Sequence, residues 1–182
     1  MRYLLSKATP PFTRLLFVES GPRHLTESLL NGLYNFFGPE LVIDIVTCYA
    51  GEPAGFRHAT GQIYRVGEYG GAEGRARLYT GLAARKYNII GIICSGDPIM
   101  TKWKWVLALK IPAKLFILNE NGDYFWFDYS QWRTLRHFIL YRAGLSGAGA
   151  VKTIVRLLLF PFTVLFLILY AATLHLKRKV HI

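Results

Sequence analysis

Residues 88–94 read NIIGIIC, and from Ile89 to Cys94 no side chain is polar. A run with no wet face belongs, as a strand, in the middle of a sheet covered on both sides, which is the setting of parallel strands. Its neighbours repeat the arrangement. Upstream, residues 75–86 have helical spacing, with Leu78 and Leu82 inward and the arginines outward. Before them lie a glycine-rich turn (67–74, GEYGGAEG), a short strand at 62–66, a loop of Gly, Pro and His at 51–61, and a strand at 41–48. Leu25, Leu29, Leu33 and Phe36 place a helix over 25–37. The first strand is 14–19, followed by Ser20-Gly21-Pro22.

Downstream, a helix is expected over 102–109 and a strand over 114–118. Asn121-Gly122 reads as a tight hairpin turn into a strand at 124–129, and a last helix covers 131–143. Alternating strands and helices predict an α/β fold: a Rossmann-like, mostly parallel sheet with helices on both faces. The expected organisation is an N-terminal extension (1–13), the Rossmann-like domain (14–143), a small-residue linker (144–150, GLSGAGA), a transmembrane helix (151–175) and a basic tail (176–182).

Residues 157–174, LLLFPFTVLFLILYAATL, carry no charge. At a rise of about 1.5 Å per residue such a helix approaches the roughly 30 Å of a bilayer's hydrocarbon core. Lys152 and Arg156 precede the run and Lys177, Arg178 and Lys179 follow it, so both ends reach headgroup level. Pro161 lies one turn inside, where a membrane helix tolerates a kink. Basic residues are more numerous before the span than after it, and residues 1–21 read as no signal peptide. A single-pass protein of the cell membrane with its domain on the cytoplasmic side is therefore expected.

The chain of 182 residues carries 22 basic and 11 acidic side chains, a net charge of +11. Such an excess calls for an anionic partner, and its crowding around the apolar run favours membrane lipid. No zinc-finger spacing, basic arm or RNA-binding signature is present, so neither nucleic acid nor metal is an expected partner. Cys48 and Cys94 read as buried free thiols, as expected in a reducing compartment. All the tryptophans lie in TKWKWVLALK (101–110) and YFWFDYSQW (124–132); Trp103 and Trp105, set among lysines, suit a membrane interface or a protein contact.

In an open parallel sheet, ligands bind beyond the carboxyl ends of the strands. That rule collects Ser20 and Gly21 after the first strand, Ser95, Gly96 and Asp97 after the fourth, and Asn119 after the fifth. This polar rim suits a sugar or nucleotide, although the same residue types also make turns and caps. The segment GEYGGAEG does not follow the first strand, as a dinucleotide fingerprint must, and no phosphate-loop lysine motif occurs. No catalytic residue and no cofactor are assigned.

The order of RLLFVESGPRHLTESLLNGL (14–33), VIDIVTC (42–48), RKYNIIGIICSGD (85–97) and IPAKLFILNENGD (111–123) resembles the N-terminal, acceptor-side half of heptosyltransferase-type glycosyltransferases of the GT-B fold. The resemblance covers about residues 14–123 and rests on pattern. It departs where it matters for chemistry. That family carries a Gly-Asp pair after its first strand, the acid thought to act as base, whereas SGPRH (20–24) has no Asp and Glu27 sits on the helix. The family's second Rossmann domain, which binds the sugar nucleotide, has no counterpart, its place taken by linker and apolar run. The resemblance thus implies a re-used fold, or an enzyme half that needs a partner.

Two functions follow as expectations. The first is a non-catalytic accessory subunit that docks onto other integral membrane subunits, as in a photosynthetic or respiratory complex. Thr163, Tyr170, Ala171, Ala172 and Thr173 would supply packing positions on its helix. The alternative is a glycosyltransferase-like half acting on a glycan or lipid-linked sugar at the membrane.

Overall fold

The computed structural model describes residues 7–145 and 150–180, and of residues 150 and 174–180 the backbone alone. It divides into two compact units, Met1–Trp132 and Arg133–Ile182.

The first unit is an α/β domain. Among the described residues its strands are β1 (Arg14–Glu19), β2 (Val42–Thr47), β3 (Ile63–Arg65), β4 (Ile89–Cys94), β5 (Lys114–Asn119) and β6 (Tyr124–Trp126). They form one sheet in the order β3-β2-β1-β4-β5-β6, parallel except for the β5–β6 hairpin. NIIGIIC is the inner strand expected of it: every residue of β4 is buried, between β1 and β5.

Helix α1 (Arg23–Phe37) joins β1 to β2, α2 (Gly71–Ala84) lies between β3 and β4, and α3 (Thr101–Lys110) joins β4 to β5. Right-handed crossovers put α1 on one face, because β1→β2 runs one way along the sheet. The later crossovers run the opposite way and put α2 and α3 on the other face. Leu30, Leu33 and Tyr34 of α1 pack with Leu15, Phe17, Ile43, Ile45 and Phe116. Side chains of the other parity, including Leu16, Val18, Val46, Ile90 and Ile92, are equally buried. The sheet is therefore covered on both faces.

Several boundaries differ from the sequence reading. Helix α2 starts at Gly71, inside the segment read as a turn. Gly70 is its N-cap, and Gly74 is forced by packing: a Cβ there would lie 2.7 Å from the Tyr69 carbonyl carbon. Strand β6 ends at Trp126, and Asp128 then caps a short 3-10 turn. Phe36, placed on the inner stripe of α1, is 82% exposed, and Leu30 and Tyr34 take the core positions instead. Cys94 is buried as expected, but Cys48 is exposed beyond the end of β2.

Gly61 tests the packing of the β2–β3 edge. A Cβ there would fall 2.0 Å from the Ile43 carbonyl oxygen, a backbone atom that cannot rotate away. Gly61→Ala should cost about 1–3 kcal/mol, the range of overpacked interiors, read as a lower melting temperature of the full chain in detergent. An unchanged melting temperature would show that this edge gives freely.

The second unit contains α5 (Ala150–Val180); α4 (Trp132–Arg142) begins at the boundary between the units. Within α5, Val151–Thr173 is 23 residues long, holds an 18-residue window of mean hydropathy 2.3 and has no residue buried, so it is long and apolar enough to cross a membrane. Thr163 and Thr173 return their hydroxyls to the carbonyls of Leu159 and Tyr170, so neither polar group is left unpaired. Lys152 and Arg156 are exposed at the start of the run. Lys177, Arg178 and Lys179 continue the helix, their side chains outside the described residues, as are residues 146–149 of the linker.

Candidate functional site at the switch in strand order

Strand order reverses between β1 and β4, so the crevice between their carboxyl ends is where this architecture binds ligands. Ser20 and Gly21 lie on one side of it and Ser95, Gly96 and Asp97 on the other. Of the expected rim, then, five residues converge.

Their roles differ. Ser20 is buried; its hydroxyl donates to the Ile93 carbonyl at 2.8 Å and accepts from the Ile93 N–H at 3.1 Å, stitching β1 to β4 where the ladder ends. It is structural. Gly21 permits the close approach of the two strand ends, since a Cβ there would lie 2.3 Å from Ile93 Cγ2. Ser95 is buried, its hydroxyl has no hydrogen-bond partner among the described residues, and it lies 3.2 Å from that same Cβ position. Gly96 and Asp97 are exposed at the mouth. Asn119 stands apart from the crevice group in function. Its Oδ1 accepts from the backbone N–H groups of Asn121 and Asp123, each at 2.9 Å, and its Nδ2 donates to Asp123, so it builds the hairpin.

Other side chains complete the crevice, and Tyr49 and Lys104 among them carry no sequence signal of a role there. Glu19, wholly buried at the end of β1, accepts from Thr47 at 2.5 Å and from Arg23 at 3.2 Å. This pairing explains how a carboxylate survives there: a buried charge persists only when paired and hydrogen-bonded. Tyr49 donates to the Gly21 carbonyl at 3.0 Å and lies under the Arg23 guanidinium, 4.9 Å from the ring centre. Lys104 of α3 is buried and reaches the Ile93 carbonyl at 3.1 Å, the same oxygen that Ser20 uses. A lysine inside an aromatic-rich helix gives no periodic signal of such a role. Only the topology brings it under the crevice.

Desolvation, with the Glu19 charge adding to it, raises the Cys48 thiol, which disfavours the nucleophilic thiolate at neutral pH. Desolvation likewise raises the Tyr49 phenol, with Cys48 and Glu19 adding. His24 is exposed on the first turn of α1. Among the described residues no group of three His, Cys, Asp or Glu side chains is disposed to hold a metal. Trp103 is half-buried against Tyr79, ring centres 5.7 Å apart, whereas Trp105 is exposed. They face different ways, so only Trp105 is presented to solvent as an interface residue would be.

The fold and crevice define an α/β Rossmann-like domain in a chain whose described residues include one helix long and apolar enough to cross a bilayer. Comparisons with protein-family models, curated proteins and solved structures find no match to this chain.

Proposed function

We propose that the chain is a membrane-anchored, non-catalytic accessory subunit that docks a cytoplasmic Rossmann-like domain onto a larger assembly of integral membrane proteins. The observation that carries this reading is Val151–Thr173, with its apolar surface unburied along its length. A helix of that composition needs lipid or other membrane helices around it. Glu19 supports the non-catalytic part, since Arg23 and Thr47 already occupy this buried strand-end carboxylate. A bioenergetic complex is the kind of host that would use such a subunit.

A second reading is favoured by one specific observation, the unpartnered Ser95 hydroxyl at the switch point beside Asp97. In that reading the crevice is the acceptor side of a glycosyltransferase-like pair, holding a glycan or lipid-linked sugar while a partner supplies the nucleotide sugar. Mild-detergent extraction from native membranes separates the two. Stoichiometric integral membrane subunits are expected to co-purify. A solitary chain that binds a nucleotide sugar, and loses it on Asp97→Ala, would replace the first reading by the second.

A further inference from the structure

On the α1 face of the sheet, no helix of the unit Met1–Trp132 crosses β5 and β6 among its described residues, because α2 and α3 run on the other side. Between α1 and these strands lies a cavity of about 530 Å³. That volume is within the roughly 300–1,000 Å³ of small-molecule sites. Its wall is built by Phe12, Leu29, Leu33, Phe116, Tyr124 and Trp126, and no charged residue is among the described residues that line it. Phe12 stacks on Phe37 at 4.1 Å between ring centres and meets Trp126 edge-on at 5.8 Å, so much of the wall is aromatic. Phe36 and Tyr124, 82% and 67% exposed, stand at the cavity's margin.

Leu25, in the first turn of α1, and Leu118, near the carboxyl end of β5, also line the cavity. An apolar, largely aromatic slot matches the hydrocarbon part of an amphiphile. The excess of basic over acidic residues, 22 against 11, matches an anionic one in charge. We propose that this cavity takes a hydrocarbon chain of a membrane lipid. The source of the chain rests on the reading that α5 holds the protein at a bilayer.

Gly32 provides the test. It lines the cavity from the middle of α1, and a Cβ there would meet nothing within 4 Å. Gly32→Phe can therefore fill the space without backbone strain, and it removes a weak helix former. In a full-length chain whose other tryptophans are replaced (Trp103→Phe, Trp105→Phe, Trp132→Phe), Trp126 reports on the cavity. Reconstituted into nanodiscs of phosphatidylcholine with brominated acyl chains, Trp126 should lose most of its emission relative to unbrominated discs. Gly32→Phe should restore it.

Free dibrominated stearate, added to the same protein, should quench Trp126 as well. Affinity for unbrominated fatty acids in competition should rise about fourfold per methylene until the cavity is full. Quenching that Gly32→Phe leaves unchanged would mean that Trp126 merely lies near lipid, and would overturn the proposal. So would the absence of quenching by either probe, including the case in which the chain is dimeric and a second copy covers this face. Extraction of the chain by alkaline carbonate would defeat the anchor reading alone, since the stearate arm still decides whether the cavity binds a hydrocarbon chain.

Discussion

Replacing Leu165 and Leu169 with arginine should move the full-length protein from the membrane pellet to the soluble fraction. Both residues lie in the apolar stretch Val151–Thr173, well inside its ends, and both are exposed. An arginine near a helix centre costs about 2.5–3.5 kcal/mol for insertion, so two together offset much of the gain from the flanking leucines and phenylalanines. Leu165→Ala with Leu169→Ala should leave the protein in the pellet, which separates charge from side-chain loss. Retention of the arginine variant in carbonate-washed membranes would mean that other surfaces hold the chain there.

The second large effect belongs to the domain. Lys114 and Asp128 form a buried ion pair, Nζ to Oδ2 at 2.7 Å, between the first residue of β5 and the turn after β6. Asp128 also accepts from Ser130 at 2.5 Å and from the Gln131 N–H at 3.2 Å, and the Lys114 ammonium lies 5.6 Å from the Trp126 ring centre. Asp128→Ala would leave a buried ammonium without its carboxylate, a change that costs about 3–5 kcal/mol. Thermal or denaturant unfolding of the full chain in detergent should show the loss, and Lys114→Met in the same chain should recover part of it.

The pair also sets a pH dependence. Burial pushes the Asp128 carboxyl upward, but the hydrogen bonds from Lys114 and Ser130 and the lysine charge outweigh it, and the net direction is downward. A carboxyl lowered on folding stabilises the native state above its ordinary range. That contribution is lost as pH falls through the lowered value. Wild type should therefore lose stability below the ordinary carboxylate range, and Asp128→Asn should flatten that part of the profile. A profile unchanged by Asp128→Asn would place the acid sensitivity elsewhere.

The sheet was legible in the sequence because its strands obey strong local rules. The run from Ile89 to Cys94 has no polar position, which marks it as an inner strand. The crevice was legible because strand-end residues follow from topology, which placed Ser20, Gly21, Ser95, Gly96 and Asp97 around the switch point. What failed was whatever depends on tertiary partners. Phe36 fits a helical stripe, yet that stretch of α1 flanks an open cavity. The glycines at 70, 71 and 74 look like a turn, yet they begin α2 because Gly74 must press against the Tyr69 backbone. Lys104 gives no sign in sequence that its ammonium reaches a carbonyl of β4. Asn119 was placed with the rim by its position after β5, whereas its side chain is spent on the hairpin.

In the proposed function α5 is the element through which the protein meets its partners, and a photo-crosslinker placed on that helix tests this most directly. Tyr170 is exposed and stacked on Phe166, so a photoreactive phenylalanine analogue fits there with little disturbance. Irradiation in native membranes should yield an adduct of defined mass with another integral membrane protein. A result of lipid adducts alone, from this position and from a matching probe at Thr163, would contradict the docking role.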